Sequence, residues 1–477
     1  MTEAPDPGRQ LLGRIWTGLG GDTVQLDRVQ KASHPVPLPA HTDAAALAWA
    51  SVAAASLAAA TLAEARSVTV DPDRIGVAYS SERHFRLGGE TPSVWAPLSG
   101  FFHASDGWVR THGNYPHHAE ALRRGLGLPA DAAAEAAASA LHGMPAGVAT
   151  QAITAAGGLC VGVAHENPLV ERELRSTPLV DLTRSGSAAP RPRERPPADA
   201  PLRGIRVLDL TRVIAGPVAT RTLALLDADV LRVDPPRLPE PEWQHLDSGH
   251  GKRSTLLNLA APADRRVFEH LLETADVVVT GYRARALERL GLAPDLLIAR
   301  RPGLIVARLT AWGSSGDAAG RRGFDSLVQA ASGIAWIESS DGERPGALPA
   351  QALDHSAGYL IAAGIMTALH RAQSEGGSWI VDVSLRRVAA ELLGMPRTAA
   401  PEPIETAVDG SAHVQEFDVD GLHVTTTAPA LAYDGGPVAF SAPRRWGRDA
   451  AEWREKRDGD RRVAGGEGHA WTGSATR

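Results

Sequence analysis

The stretch QALDHSAGYLIAAGIMTALH, residues 351–370, opens a run of small and apolar residues with a carboxylate, Asp354. The run predicts a buried helix, and Asp is among the most favoured N-cap residues, so capping alone explains Asp354. The other interpretation is a nucleophile, because a carboxylate with an ordinary pKa of about 4 is ionised at neutral pH and needs no base. Backbone N–H groups at a helix start would also hold an oxyanion. The pattern alone favours the cap.

A second candidate is VLDLTRVIAGP at residues 207–217, in which a predicted strand leads through a turn into a helix near Gly216. The unpaired N–H groups and positive dipole end of such a helix suit a phosphate group. The GxGxxG and P-loop motifs of NAD and ATP sites are missing here. An ordinary βα turn therefore explains this segment better than a ligand site does.

Two further segments have residues that suit the phosphates and the base of a nucleotide-like ligand. GHGKRSTLLNL (249–259) sets Lys252 and Arg253 in a glycine-flanked loop before a predicted strand, and adjacent cations of this kind suit phosphate. GYRARALERLG (281–291) combines Tyr282 with arginines after a strand end, where ligands of open α/β sheets bind. Solvated surface charges are the competing explanation for both segments.

A fifth segment, RRGFDSLVQAASG at residues 321–333, places Asp325 where it could cap the helix that follows. His117, His118 and His142 do not have the spacing of metal ligands, and the chain has no HExxH or GxSxG motif. We therefore predict no metal site. The key residues of zinc hydrolases and of α/β-hydrolases are missing.

The composition is that of a globular protein. Hydrophobic residues make up 43% and charged residues 22% of the 477 residues, and the net charge is −6. This length predicts two or three domains, and the acidic balance disfavours general binding to nucleic acid. With one cysteine, Cys160, no intrachain disulfide can form, so a cytoplasmic protein is the simplest interpretation.

An alanine-rich run at residues 44–65 is long enough to span a bilayer, but Ala and Ser are only weakly apolar. We interpret it as a buried helix and expect no membrane partner. Asp43 precedes this run, and RIGVAY (74–79), with the pattern of a strand, follows it. Asp354 likewise precedes a helix and the strand pattern WIVDVSL (379–385). The shared order is weak evidence of a degenerate internal repeat.

Strand and helix patterns alternate in the second part of the chain. The strand patterns IRVLDL, DVLRVD, DVVVTG and LIVARLT are separated by helical patterns, which predicts parallel, right-handed βαβ units. The predicted fold class is therefore α/β, with a doubly wound sheet.

A Pro-rich, charged linker at residues 185–201 divides the chain. It separates an N-terminal part at 1–184 from an α/β domain at 202–395. Residues 396–477 follow as a C-terminal extension with a polar tail, which we expect to be disordered.

These segments, in this order, resemble the family III CoA-transferases, the group that includes the formyl-CoA and carnitine CoA-transferases. The resemblance spans roughly residues 202–395, from GIRVLDLTRVIAGP through GKRSTLLNL, ADVVVTGYRARALERLG and GFDSLVQAASG to ALDHSAGYLIAAGIMTALHR and WIVDVSL. Residues 104–170 look like the small domain of that family, which normally lies after the catalytic half. The resemblance implies a Rossmann-like sheet with a smaller α+β domain, in a rearranged or fused architecture.

The resemblance also implies an activity, the transfer of CoA from an acyl-CoA thioester to a carboxylic acid. Asp354 corresponds to the family's nucleophile, which forms an aspartyl anhydride and then an aspartyl-CoA thioester. No metal is required. The implied partners are the acyl-CoA, the carboxylate and a second copy of the chain, because family members are interlocked homodimers. The residues implied to hold coenzyme A are Arg212, Val213, Ala215, Lys252, Arg253, Gly281, Tyr282, Arg289, Arg322 and Asp325.

Departures from the family pattern keep two alternatives open. The first is an α-methylacyl-CoA racemase of the same superfamily, although Phe324 stands where that branch usually has a histidine. The second is an inactive CoA-binding subunit, which would fit the rearranged order and the missing glycine-rich loop. In a duplicated chain with one inactive half, Asp43 would be the remnant of the second nucleophile.

Overall fold

The structure is a computed structural model and describes residues 6–316, 318–399 and 409–455. The helices are α1 (Pro7–Gly18), α2 (Ala44–Leu62), α3 (Pro72–Tyr79), α4 (Ser81–His84), α5 (Pro116–Gly125), α6 (Ala134–His142), α7 (Ala146–Ala155), α8 (Pro168–Arg175), α9 (Ala215–Leu225), α10 (Glu242–Ser248), α11 (Pro262–Glu273), α12 (Ala284–Arg289), α13 (Pro294–Arg300), α14 (Asp325–Ser332), α15 (Ile334–Ile337), α16 (Ala352–Glu375) and α17 (Leu385–Leu393).

The strands are β1 (Arg86–Leu87), β2 (Gly100–Ala104), β3 (Gly107–Thr111), β4 (Cys160–Gly162), β5 (Asp181–Ser185), β6 (Arg206–Leu210), β7 (Asp229–Asp234), β8 (Arg253–Leu256), β9 (Val277–Thr280), β10 (Ile305–Thr310), β11 (Ser378–Ser384), β12 (Val414–Val419) and β13 (Leu422–Thr427).

A seven-stranded sheet organises the second part of the chain, in the order β5-β11-β10-β9-β6-β7-β8. Its strands are parallel except for β5, which runs antiparallel to β11 at one edge. Strands such as β9, which is buried throughout, are continuously apolar because helices cover both faces of the sheet. The predicted α/β class with a doubly wound sheet is confirmed.

The chain leaves β6 in one direction for β7 and β8, and later in the other direction for β9, β10 and β11. The strand order therefore reverses between β6 and β9. Open α/β sheets bind ligands at this reversal, beside the carboxyl ends of the strands. The loop that follows β6 belongs to the segment VLDLTRVIAGP, and the loop that follows β9 belongs to GYRARALERLG. Both segments are candidates for binding a nucleotide-like ligand.

The N-terminal part shares its core with the α/β part. Helix α2 packs along α16, which also packs on α9, and β5 extends the main sheet. One continuous apolar cluster runs from Leu11 to Leu393 and beyond. The linker at 185–201 therefore separates two sequence segments that fold around one core. Among the described residues, only α2 is long and apolar enough to cross a membrane, and it is largely buried in this core.

A small sheet, β2-β3-β4, and helices α5 to α7 form a second unit, here called the small domain. Its own core includes Val109, Leu122 and Ile153. It packs against α14 through a separate apolar cluster that contains Leu159 and Leu327. This contact sets the small domain over the carboxyl-end edge of the main sheet.

The segment RIGVAY is a helix and not the predicted strand. Asp71 caps α3 by accepting hydrogen bonds from the N–H groups of Asp73 and Arg74, and Pro72 occupies the first turn, where its missing N–H costs nothing. The predicted internal repeat required a strand at this place. The repeat is therefore wrong beyond its shared first half, an aspartate before a long helix.

The C-terminal extension begins as an antiparallel hairpin, β12 and β13, that pairs with β1. The chain then returns to the main sheet, where the N–H of Gly447 donates to Ser254 Oγ at 2.9 Å beside β8. The predicted disorder of the tail falls mostly on residues 456–477, which lie outside the described residues.

Candidate active site

A cavity of about 280 Å³ lies at the carboxyl ends of β6, β9 and β10, under the small domain. Asp354 reaches it from the first turn of α16 and is the only carboxylate among its lining residues. Those residues are Tyr115, His117, His118, Arg212, Val213, Ala215, Leu238, Gly281, Tyr282, Arg283, Ala286, Leu309, Thr310, Ala311, Trp312, Ala319, Arg321, Arg322, Gly323, Phe324, Asp354 and Leu385.

Asp354 does not cap its helix, so the capping prediction is wrong. The N-cap of α16 is Gln351, whose side chain makes no capping hydrogen bond. The N–H of Asp354 instead donates to Asp325 Oδ2 at 2.9 Å. The carboxylate of Asp325, which is distant in sequence, therefore caps α16, and the carboxylate of Asp354 does not.

Asp325 is correspondingly not the cap of its own helix. It is the first residue of α14, after the N-cap Phe324, and its carboxylate also accepts a hydrogen bond from the side chain of Gln329. Asp325 is 1% exposed and does not line the cavity. It lies behind Asp354 and holds the start of α16 in place.

Both carboxyl groups have raised pKa values. Burial raises the pKa of Asp325 to about 6. Burial and the Asp325 carboxylate raise the pKa of Asp354 well above its ordinary value. The ordinary pKa assumed from the sequence is therefore wrong, because a buried pair of acids resists holding two negative charges. The carboxylate form of Asp354 is poorly stabilised by its surroundings, which favours its reaction with an electrophile.

The turn after β6 is held in a strained conformation. Val213, a β-branched residue, has φ at 72°, in the left-handed region that such residues rarely adopt. Its N–H donates to Glu240 Oε1 at 2.7 Å, and Glu240 also accepts from Arg232 Nη2 at 2.5 Å. Although burial opposes it, Arg232 and Arg212 hold the pKa of Glu240 below its usual range. A buried anion thus fixes the turn that faces Asp354.

Gly358 lets the turn approach α16. A Cβ at this position would lie 2.6 Å from the carbonyl oxygen of Ala215 and 2.8 Å from Val218 Cβ. Helices α9 and α16 could not pack this closely with any larger residue here. The glycine therefore serves the contact that places Asp354 beside the turn after β6, and does not open space for a substrate.

Most of the residues predicted to bind coenzyme A do meet at the cavity. Arg212, Val213 and Ala215 line it from the turn after β6, and Gly281 and Tyr282 line it from the end of β9. The hydroxyl of Tyr282 is buried and has no hydrogen-bond partner among the described residues. These five residues come from two loops that the sheet reversal brings together.

The cavity is electrostatically suited to an anion. Arg212, Arg283, Arg321 and Arg322 line it, against the single carboxylate of Asp354. The predicted contact Arg322 is one of them, and its guanidinium also donates to the carbonyl oxygen of Gly157 in the small domain at 2.7 Å.

A second hollow adjoins the cavity and shares Arg283 and Ala286 with it. The predicted contact Arg289 lies in this hollow, together with Arg285. The cationic surface thus continues outward from the cavity along α12.

Lys252 and Arg253 do not reach the cavity. Lys252 Nζ is 3.2 Å from Asp209 Oδ2 and is buried below the turn after β6, and burial lowers the pKa of Lys252 to about 8. Arg253 Nη2 is 2.8 Å from Asp229 Oδ1. Both cations serve buried ion pairs inside the sheet, so the geometry does not support their predicted contact with phosphate.

Sequence reasoning missed the groups that come from the small domain. Tyr115, His117 and His118 line the cavity from the start of α5. The Arg212 guanidinium lies 5.2 Å from the centre of the Tyr115 ring, which joins the small domain to the turn after β6. The sequence offers one signal for these groups, the run HGNYPHH with three histidines in seven residues.

The position of Asp43 differs from that of Asp354. Its carboxylate accepts a hydrogen bond from the N–H of Ala46 at 3.0 Å and caps α2, and it does not line the cavity. Within the described residues, no three His, Cys, Asp or Glu side chains are grouped to hold a metal ion.

Fold and site together define a doubly wound α/β protein with a buried carboxylate facing an arginine-lined cavity at the sheet reversal. Comparison with known proteins gives a match to a family: residues 202–425 are similar to the CoA-transferase family III. The match covers the main sheet from β6 onward, Asp325 and Asp354. The small domain lies outside it.

Individual proteins are similar to part of this chain. The probable fatty acyl-CoA transferase Rv3272 of Mycobacterium tuberculosis is 32% identical over 222 residues, which cover 43% of this chain and 56% of the relative. The succinyl-CoA–D-citramalate CoA-transferase of Chloroflexus aurantiacus is 31% identical over 204 residues, 40% of this chain and 50% of the relative. A crystal structure of Rv3272 aligns with a TM-score of 0.39 and 33% identity, over 41% of this chain and 58% of that one. The chain thus spans about half the length of these relatives.

Proposed function

We propose that this protein transfers CoA from an acyl-CoA thioester to a carboxylic acid and that Asp354 is the nucleophile. The observation that carries the proposal is the freedom of the Asp354 carboxylate. It faces the arginine-lined cavity while Asp325 caps the helix in its place. The similarity of residues 202–425 to the CoA-transferase family III supports the same reaction.

In the proposed reaction, a carboxylate oxygen of Asp354 attacks the thioester carbonyl carbon. The C–S bond breaks, CoA leaves as its thiolate, and a mixed anhydride forms. The thiolate then attacks the aspartyl carbonyl carbon, which releases the first acid as a carboxylate and leaves an aspartyl-CoA thioester. The acceptor carboxylate attacks the carbonyl carbon of this thioester, which frees the CoA thiolate and forms a second mixed anhydride between the acceptor and Asp354. The thiolate then attacks the acceptor's acyl carbon, which forms the new CoA ester and releases Asp354 as a carboxylate. The sequence consumes no proton and needs no metal.

The residues that line the cavity suggest where each part of the substrate would bind. The reacting carbonyl would lie at Asp354, between the strained turn at Val213 and the small domain. The phosphates of CoA would lie toward Arg283 and Arg289, where the cationic hollow opens to solvent. Guanidinium groups suit phosphate because their donors form a planar fork. Relatives are named for succinyl-CoA and for citramalate or glutarate, so a carboxylate acceptor is the proposed substrate class.

The racemase alternative has less support. Phe324 replaces the histidine that would exchange an α-proton, and the ring of His355 stacks on Tyr79 with centroids 5.0 Å apart, outside the cavity lining. The inactive-subunit alternative would require a blocked or incomplete site. The open cavity at Asp354 favours an active enzyme.

A panel of acyl-CoA donors and carboxylate acceptors tests the proposal, with transfer followed by mass spectrometry of the CoA esters. We expect at least one pair to exchange CoA, and hydroxylamine added with the donor alone to convert Asp354 to a hydroxamate. A hydroxamate at Asp43, or exchange that survives in Asp354→Asn, would contradict the assignment. The homodimer and the cytoplasmic location stay predictions.

A further inference from the structure

The small domain presents one polar side chain to the cavity without a partner. His118 is 6% exposed, lines the cavity, and its Nδ1 is buried with no hydrogen-bond partner among the described residues. Buried polar groups of proteins are nearly always hydrogen-bonded. Nδ1 is closed off from the cavity, so a ligand there can reach only the other ring nitrogen, Nε2, which also makes no hydrogen bond among the described residues but is not closed off. An imidazole with an open, unpaired Nε2 at the wall of a cavity therefore points to a ligand that supplies the missing partner.

Ring contacts place His118 beside Phe324, which lines the cavity together with Asp354. Its ring lies 6.0 Å, centroid to centroid, from the ring of Phe324, edge-on at 72°. Phe324 directly precedes Asp325, whose carboxylate binds the N–H of Asp354. The cationic hollow at Arg289 opens from another part of the wall and does not include His118.

We propose that His118 donates a hydrogen bond from its imidazole to the carbonyl oxygen of the acyl group under attack, as a positioning and oxyanion-stabilising residue. This inference rests on the proposed CoA transfer. Each step of that reaction places negative charge on a carbonyl oxygen, and a fixed donor aimed at this oxygen lowers the barrier. The donor comes from residues outside the part of the chain that matches the family.

The neutral state of the imidazole fits this role. Burial, together with the nearby His117, His112, Arg322 and Arg212, lowers the pKa of His118 to about 3. A neutral imidazole offers one N–H but does not protonate the CoA thiolate, whose return to the carbonyl completes each half of the reaction. An imidazolium at this place would deliver a proton to the thiolate and remove the nucleophile.

The neighbouring His117 is a weaker candidate. Its ring packs against that of His118 with centroids 4.1 Å apart, but the residue is exposed. An exposed imidazole satisfies its nitrogens with water, so its geometry gives no sign of a missing partner. His112 stacks face to face on Phe324 at 3.9 Å and does not line the cavity.

The test compares His118→Phe and His118→Gln with wild type and with His103→Gln. Phenylalanine keeps the aromatic packing on Phe324 but has no donor, whereas glutamine keeps an N–H donor. His103 is an exposed histidine of the same small domain, away from the cavity, and serves as the matched control. The full-length protein is used with the donor and acceptor pair that is best in the panel.

We expect His118→Phe to lower kcat by about 100-fold, as for the loss of one oxyanion donor, with KM for the acyl-CoA nearly unchanged. His118→Gln should recover part of the loss, and His103→Gln should match wild type. The rate of hydroxamate formation at Asp354 should fall in the same proportion as kcat. Near-UV circular dichroism and the melting temperature establish that each variant is folded, and His118→Leu replaces His118→Phe if the latter is not.

Full kcat in a folded His118→Phe, or a loss confined to KM, would overturn the proposal. So would incorporation of solvent deuterium at the α-carbon that disappears in His118→Phe, because His118 would then be a base. These outcomes differ from failure of the proposed function, in which wild type itself exchanges no CoA and forms no hydroxamate.

Discussion

Helices α2 and α16 lie side by side, are rich in small residues, and each begins beside an aspartate, yet only Asp354 reaches the cavity. In α2 the carboxylate of Asp43 caps its own helix through the N–H of Ala46. In α16 the capping carboxylate is that of Asp325, which lies on a different helix and accepts the N–H of Asp354. A sequence pattern for a cap therefore marks a structural aspartate in one helix and a candidate nucleophile in the other.

The comparison teaches that capping and chemistry compete for one carboxylate. A cap needs the carboxylate turned back onto the helix N-terminus, whereas a nucleophile needs it turned toward the substrate. The pairing of Asp325 with the N–H of Asp354 removes this conflict. It also leaves two buried acids close together: burial raises the pKa of both, and the Asp325 carboxylate raises that of Asp354 further.

The largest expected effect separates the two aspartates directly. Asp354→Asn should lower kcat by about 10⁴-fold or more, because the amide is not a nucleophile, and the fold should remain intact. Asp43→Asn should leave kcat unchanged, because asparagine caps a helix as well as aspartate does. Steady-state kinetics of the two variants, with melting temperatures measured in parallel, tests the contrast. Equal losses of kcat in the two variants would show that Asp354 and Asp43 do not differ in their role.

The raised pKa values of Asp354 and Asp325 predict a pH dependence of activity and of stability. Burial also raises the pKa of Asp43, which therefore adds to the dependence of stability but not to that of activity. Activity needs the ionised Asp354, so kcat/KM should rise with pH through a midpoint well above the ordinary value of about 4. For stability the sign is opposite. The folded state binds more protons than the unfolded state once the pH exceeds about 4, so stability falls as the pH rises through the raised values, including that of about 6 for Asp325. Urea unfolding from pH 4 to 8 should show this slope, and Asp354→Asn should flatten it.

Replacing the distant cap should affect both structure and activity. Asp325→Ala leaves the N–H of Asp354 without its acceptor and should cost about 1–3 kcal/mol of unfolding free energy. Because Asp354 would then shift, kcat should fall by roughly 100-fold. Asp325→Asn keeps an acceptor but removes the charge, so the midpoint of the kcat/KM profile should move to lower pH. A midpoint that stays in place would mean that Asp325 does not perturb Asp354.

The close approach of α9 predicts that α16 cannot accept a side chain at Gly358. Gly358→Ala should lower the free energy of unfolding by about 1–3 kcal/mol, because the new Cβ would meet the backbone of Ala215 at 2.6 Å. Gly147 of α7 is the matched control, since a Cβ there would have nothing within 4 Å. Urea denaturation should show a loss only for Gly358→Ala; equal stability of the two variants would refute the packing argument.

The smallest expected effect belongs to α2. Asp43→Ala removes the cap of this helix and should cost about 1 kcal/mol of stability while kcat remains at the wild-type value. Chemical denaturation together with the standard CoA exchange assay measures both. A loss of kcat without a loss of stability would show that Asp43 takes part in the reaction.

Short-range patterns were enough to predict the main sheet. The strand patterns near β6, β7, β9 and β10, each followed by a helical pattern, predicted the parallel α/β fold, because burial on both faces favours apolar residues along these strands. Helix α3 was the exception. Its apolar RIGVAY segment suits a strand as well as a helix. The residues that decide for a helix are the N-cap Asp71 and Pro72 in the first turn, just before this segment.

The sequence by itself determined the parallel strands of the sheet, the turn at Arg212 and Val213 and the loop at Gly281 and Tyr282, since each depends on residues close together in the chain. The tertiary structure decided which carboxylate caps α16, that Lys252 and Arg253 are used in buried ion pairs, and that His118 lines the same cavity as Asp354. The physical reason is that a hydrogen bond or ion pair is assigned by proximity in space. Asp325, Asp209 and the small domain become neighbours of these groups only after the chain has packed around one core.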